Sequence, residues 1–263
     1  MSAPERPVAV VGGGSSGLGL AIARRLATDG LAVLVVSRSS DRVARAVERI
    51  RSDGERTVEG FAVDLTTSDG PARAVDVART AFGDAPTVLI ANGGGPPSMP
   101  AVRASADDLE AACRQLLLPV QRLVHAGLPA MRGAGWGRVV AVTSVAVRQP
   151  QPGLVLSNAL RAAVTGYLRT VADEVAADGI TVNTVLPGFT ATERLTELSE
   201  AVADRTGKTP REVLDGWATQ APVGRLLEPE ELAAAVSFLC SPDASGITGV
   251  ALPVDGGFSR FLL

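Results

Sequence analysis

The sequence predicts a single α/β domain built on a doubly wound, parallel, seven-stranded sheet, and three observations carry that expectation. Short runs rich in Val, Ile, Leu and Ala alternate with longer helical patterns along the whole chain. Most of those runs are apolar at successive positions rather than at every second one, as strands covered on both faces require. A chain of 263 residues with 46% hydrophobic content can bury one large core, and no linker, repeat or low-complexity tract divides it.

Strands are expected at 7–12, 32–37, 57–63, 87–91, 138–143, 181–186 and 250–254. Helices are expected at 17–28, 41–52, 71–82, 106–131, 156–177 and 229–239, one after each strand but the last, which closes the chain. The stretch 190–225 departs from this rhythm. It holds two short polar helical patterns broken by Gly207 and Pro210 and is longer than an ordinary connection, which is the character of a lid over a site.

Composition narrows the function classes. A net charge of -3 with no concentrated basic face argues against a nucleic-acid partner. No apolar run approaches the ~20 residues of a membrane span, and the first seven residues lack a basic-then-apolar targeting pattern. Cys113 and Cys240 fall in expected helices without metal-ligand spacing, so they read as buried reduced thiols of a cytoplasmic protein, with no metal site. The chain has one histidine (His125), one tyrosine (Tyr167) and one lysine (Lys208), which excludes any local Tyr–Lys pair. His125 and Tyr167 are expected to be helix-packing residues.

The first strand runs into Gly12-Gly13-Gly14-Ser15-Ser16-Gly17-Leu18-Gly19 and then into a helix. Such a turn lets backbone N–H groups approach a pyrophosphate, which the positive end of the helix stabilises. Two glycine registers are readable, Gly12-x-Gly14-x-x-Gly17 and Gly13-x-x-x-Gly17-x-Gly19. At the end of the second strand, where an NAD-binding protein carries an acid for the ribose hydroxyls, this chain has Ser37 followed by Arg38 and Ser39. A guanidinium there pairs with a 2′-phosphate that a carboxylate would repel, so the cofactor reads as NADP(H) rather than NAD(H). Asp64-Leu65 after the third strand is placed for the adenine edge, and Asp64 is equally a helix cap.

From residue 7 to residue 257 these features resemble the short-chain dehydrogenase/reductase family, most closely its bacterial 3-oxoacyl-[acyl carrier protein] reductase-like members. The matching motifs are Gly13 to Gly19, Asn92-Gly93-Gly94, Ser144, Asn183-x-Val185-x-Pro187-Gly188 with Thr192, and Pro253-Val254-Asp255-Gly256-Gly257. The resemblance implies a Rossmann-type domain forming a homodimer or homotetramer. It implies that Pro187 and Gly188 pack against a nicotinamide, that Thr192 binds its carboxamide, and that the Asn92-Gly93 turn supports the cofactor and the central strand.

The family's catalytic set is an asparagine, a serine, and a Tyr-x-x-x-Lys pair beginning thirteen residues after that serine. Here only Ser144 matches: the count reaches Ser157 and Arg161, and the asparagine's equivalent is Leu116. A serine hydroxyl is a far weaker acid than a phenol, whereas Arg161 keeps a positive charge for ribose hydroxyls or for charge developing on a substrate. Pro119 lacks an N–H and frees the carbonyl of Gln115. The loop 147–152 is expected to line the space left by the phenol, with Arg148 and Gln149 as its polar groups.

Three readings follow. The first is reduction of a small-molecule or acyl-carrier-linked carbonyl with Ser144, Ser157 and Arg161 as an atypical catalytic set. The second is a non-redox isomerase or dehydratase on the same scaffold. The third is an inactive cofactor-sensing or partner-binding protein.

Overall fold

Both faces of the central strands are apolar, and the computed structural model, which describes residues 4–260, shows what covers them. Residues 1–3, part of the segment read above for a targeting pattern, lie outside the described residues, as do 261–263. The strands are β1 (Val8–Gly12), β2 (Ala32–Ser37), β3 (Val58–Ala62), β4 (Val88–Ala91), β5 (Gly137–Val142), β6 (Ile180–Pro187) and β7 (Ala251–Val254). They form one parallel sheet in the order β3-β2-β1-β4-β5-β6-β7.

The helices are α1 (Gly17–Thr28), α2 (Ser40–Arg51), α3 (Gly70–Phe82), α4 (Ala106–Ala134), α5 (Val155–Val175), α6 (Glu193–Thr206), α7 (Pro210–Ala218) and α8 (Pro229–Cys240). Adjacent residues of β1 serve opposite layers. Ala9 and Val11 pack with Ile22, Leu26, Val43 and Val236 under α1, α2 and α8. Val8 and Val10 pack with Ala74, Leu123, Val164 and Leu168 under α3, α4 and α5. This is the doubly wound α/β arrangement, and chain order reverses between β1 and β4, which opens a crevice at the carboxyl ends of those strands.

Helix ends follow the local chemistry. Ser105 and Asp108 form a reciprocal capping box at the start of α4, and Ser39 accepts from Arg42 N–H at the start of α2. In the 190–225 stretch the two short patterns are α6 and α7. Thr192 caps the first, Gly207 ends it at φ 71°, and Thr209-Pro210 with Glu212 starts the second. Buried Leu195 and Val213, together with Trp217 stacked 5.2 Å from Phe189, dock this segment on the domain.

Two side chains, His125 and Cys113, depart from expectation. His125 is exposed on the outer face of α4 rather than packed, because Val124 and Gly127 take the inward positions. Cys113 is half-buried rather than buried. Cys240 is buried, and desolvation pushes its thiol up to about 12, against a smaller opposing pull from Arg138. Tyr167 is a half-buried packing residue of α5; burial raises its pKa, and its hydroxyl has no hydrogen-bond partner among the described residues. Among the described residues no helix is long and apolar enough to cross a membrane, and no cluster of acidic, Cys and His side chains could hold a metal.

Candidate active site

The crevice at the β1–β4 reversal widens into a cavity of about 910 Å³, large enough for a dinucleotide's reacting half and a small ligand. Its first wall is the glycine turn. Gly13 and Gly17 adopt φ of 59° and 50°, the left-handed region that side chains avoid. Gly13, Ser15, Ser16, Gly17 and Leu18 line the cavity. Gly19 does not, which corrects its expected place: it is buried in α1, and a Cβ there would sit 2.1 Å from the Gly13 carbonyl oxygen. Its work is close packing of helix on turn. Asn92 stitches the turn to β4, its side-chain amide donating to the Gly12 carbonyl at 3.1 Å.

Ser37 and Arg38 sit at the far end of the cavity, joined by Arg42, which sequence reasoning passed over because it lies one turn into α2. Neither arginine has a carboxylate partner among the described residues, so two cations face the place where an acid would hold ribose hydroxyls. Asp64 and Leu65 line the neighbouring wall. Asp64 also accepts from the Thr66 N–H and hydroxyl in a local turn, but it does not cap a helix as expected, because α3 starts at Gly70 with Asp69 at its cap position. The cradle fits a phosphorylated dinucleotide: glycines where a Cβ would fill the space, a helix amino end, and unpaired guanidinium groups.

The opposite wall holds Asn92, Gly93, Pro187, Gly188 and Thr192. Gly188 lies against Asp255, with room for no Cβ, and Asp255 in turn accepts from the N–H groups of Gly257 and Ser259. The Pro-Gly and Asp-Gly-Gly motifs are therefore one packed unit. Thr192 accepts from Leu195 N–H as the α6 cap.

Ser144, Ser157 and Arg161 converge on the cavity floor. Ser144 Oγ accepts from Ala146 N–H at 3.1 Å, which leaves its proton free to donate. Arg161 Nε–H donates to Ser157 Oγ at 3.2 Å, and Nη1 donates to the Val142 carbonyl at 3.0 Å. Burial first, and then the nearby Arg194 cation, pull the Arg161 pKa down to about 10, so it remains a cation at neutral pH. Leu116 borders the cavity with an apolar side chain that can take no part in a relay, and packs with Ala112, Leu156 and Leu160.

Pro119 and Gln115 both border the cavity, and the Gln115 amide donates to the Gly95 carbonyl at 3.2 Å. The loop 147–152 contributes Gln151 alone. Arg148 turns out toward the Ala251 carbonyl, and Gln149 is not part of the wall. Arg194 is the residue sequence reasoning missed altogether. It reaches from α6 toward the β4–α4 loop, 3.5 Å from the Pro96 carbonyl, a meeting across 98 positions that no local pattern encodes.

Comparison with known proteins agrees with this arrangement. The family model described as enoyl-(acyl carrier protein) reductase matches residues 13–259. The chain is 33% identical over 250 residues to a 3-oxoacyl-[acyl-carrier-protein] reductase of Pseudomonas aeruginosa, covering 95% of this chain and 96% of that one. Its fold matches L-sorbose reductase of Gluconobacter frateurii, solved with NADPH and L-sorbose, at TM-score 0.91, 32% identity and 98% coverage of both chains. It also matches a variant of actinorhodin polyketide ketoreductase solved with NADPH, at TM-score 0.93 and 29% identity, covering 99% of this chain and 100% of that one. With the glycine turn, the Pro187-Gly188 unit and the sheet order all in place, the chain belongs to the short-chain dehydrogenase/reductase family and is 3-oxoacyl-[acyl carrier protein] reductase-like.

Proposed function

We propose that the protein is an NADPH-dependent oxidoreductase that reduces a carbonyl group, with Ser157 and Arg161 standing in for the family's phenol and ammonium. The observation that carries this reading is the Arg161 Nε–H to Ser157 Oγ hydrogen bond on the floor of the cavity that the glycine turn opens onto. When bound, NADPH supplies the hydride. Gly13, Ser15, Ser16, Gly17 and Leu18 hold its phosphates, Ser37, Arg38 and Arg42 its 2′-phosphate, and Asp64 and Leu65 its adenine edge. Asn92, Gly93, Pro187, Gly188 and Thr192 orient its nicotinamide end.

The remaining chemistry belongs to the floor. Hydride addition turns the carbonyl oxygen into an alkoxide, and charge developing on that oxygen is what the floor must stabilise. Accepting from a guanidinium polarises the Ser157 hydroxyl and makes its proton a better donor. Arg161 adds a fixed positive charge beside that hydroxyl. Ser157 or Ser144 passes a proton to the alkoxide and recovers it from solvent. Because neither hydroxyl is acidic, electrostatic stabilisation bears more of the work here than proton transfer.

The segment 190–225 acts as the lid, its α6 and α7 hinged at Thr190, which bridges to Leu227, and anchored by the Phe189–Trp217 stack. The protein works in the cytoplasm as a homodimer or homotetramer through the outer faces of α4 and α5, a reading that light scattering at micromolar concentration checks. One observation favours a second reading, isomerisation or dehydration with the cofactor as a structural part: an apolar Leu116, packed with Ala112, Leu156 and Leu160, stands where the family's relay asparagine would be. Cofactor titration beside NADPH consumption on ketones, 2-oxo acids and 3-oxoacyl thioesters tests the reductase reading. Tight binding with turnover supports it, and tight binding without turnover on any of them overturns it.

A further inference from the structure

We propose that the floor of the cavity is an anion site and that the substrate is a carbonyl compound with a free carboxylate on the carbonyl carbon or on the carbon next to it, a 2-oxo or 3-oxo acid, gripped by Arg161. This deepens the reductase reading and rests on it.

Three arginines lie on the substrate side of the cavity: Arg114, Arg161 and Arg194. Two have carboxylates of their own. Arg114 pairs with Glu110 and Arg194 with Glu197, each at 3.3 Å and each more than half exposed. Arg161, the innermost, has none among the described residues. Its acceptors are a neutral hydroxyl and a neutral carbonyl, on Ser157 and Val142. A guanidinium carries five N–H donors; one on Nη1 and both on Nη2 remain for a ligand. The charge that acts on it is another cation, Arg194.

A desolvated cation with unused donors is unfavourable on its own, and a bound anion relieves it. Distance along the ligand selects which anion. Arg161 is one hydrogen bond from Ser157, the hydroxyl that faces the reacting oxygen, so the negative group must lie within a carbon or two of the carbonyl. The planar fork of a guanidinium matches a carboxylate in a bidentate pair. A carrier-linked thioester is neutral at that point and would leave the fork desolvated and unpaired. A site built to pair a charge rejects analogues that lack it more strongly than an apolar site rejects an extra group. Arg194 and Arg114 at the rim are each paired with an exposed carboxylate and screened by solvent, so the charge that selects the anion is that of Arg161.

Binding of oxamate and of its neutral ethyl ester to the protein–NADPH complex, followed by NADPH fluorescence, tests this without requiring turnover. Wild type is expected to hold oxamate about 30-fold or more tighter than the ester. Arg161→Gln, saturated with NADPH, is expected to bring the two within about threefold, and Arg161→Lys to recover part of the preference. Equal binding of acid and ester to wild type overturns the proposal. So does an Arg161→Gln variant, folded by thermal melt, that loses NADPH in step with oxamate, because the anion met by Arg161 is then the cofactor's own. The same preparations are assayed for NADPH oxidation by 2-oxo and 3-oxo acids and their esters. Preference for oxamate with no oxidation by any acid supports the anion site and overturns the reductase reading; faster oxidation by the esters than by the acids overturns the anion site and leaves that reading standing.

Discussion

The two halves of the cavity are built on different principles. The half at β1, α1 and β2 is made of backbone: glycines, a helix amino end and the Asn92 stitch, with charge only at its tip in Arg38 and Arg42. The half at β5, α4 and α5 is made of side chains, and three of them, Leu116, Ser157 and Arg161, differ from the family's catalytic residues. A backbone cradle tolerates no change without loss of shape, whereas a side-chain floor exchanges one chemistry for another inside the same helices. Cofactor binding and reaction type are therefore separable here, and each half can be attacked without the other.

The largest effect is expected in the backbone half. Gly19→Val places a Cβ where only 2.1 Å separates it from the Gly13 carbonyl oxygen, so the turn must shift. NADPH titration should show a loss of about 10³-fold or more, or thermal unfolding should show that the domain no longer folds stably. Next comes the floor. Leu116→Asn, Ser157→Tyr and Arg161→Lys together should raise reduction of a neutral activated ketone by about 10²-fold, the lower range of general acid catalysis. Because Leu116 is buried among Ala112, Leu156 and Leu160, the same variant should melt earlier than wild type. A folded triple variant that binds NADPH and gains nothing would show that the two halves differ in substrate geometry as well as in the acid.

A smaller change is expected at the tip. Arg38→Ala should cut the preference for NADPH over NADH by about tenfold and leave NADH affinity nearly unchanged, the loss being one charge-assisted fork. Paired titrations with both nucleotides measure it, and an unchanged ratio would move the 2′-phosphate contact to Arg42. The smallest effect is on stability. Arg161→Met removes an uncompensated cation at the expense of the hydrogen bonds to Ser157 and Val142, and should stabilise the ligand-free protein by about 1 kcal/mol. Because the folded pKa of Arg161 is lowered from 12.5 to about 10, the unfolded chain binds the proton more firmly between those values. Wild-type stability should therefore gain an increment from Arg161 as pH rises through that window, and Arg161→Met should lack that increment.

Much of this was legible in the sequence, for physical reasons. β1, β2 and β4 announce themselves because burial on both faces demands nearly unbroken Val, Ile, Leu and Ala. β3, an edge strand with Glu59 and Gly60 in its middle, was found two residues too long. The ends of α6 and α7 were readable in Gly207 and Pro210, which terminate and start helices by backbone geometry alone. The floor was readable by counting along α5, whose 3.6-residue period places Ser157 and Arg161 one turn apart. Contacts made by long side chains across the fold were not. Arg148 reaches the Ala251 carbonyl and Arg194 the Pro96 carbonyl, partners about a hundred positions away that no local pattern fixes. His125 misled because the helical pattern does not say how far the inward face of a 29-residue helix extends.

The most direct test of the central claim is transfer of hydride itself. The protein is incubated with NADPH deuterated at C4 on either face and with the carbonyl compound that binds best, and the product is read by mass spectrometry. One deuterium on the carbinol carbon, from one face only, is the predicted result. Substrate that gains label from deuterated water at a neighbouring carbon, while the nucleotide keeps its deuterium, would contradict the account and assign the floor to isomerisation instead.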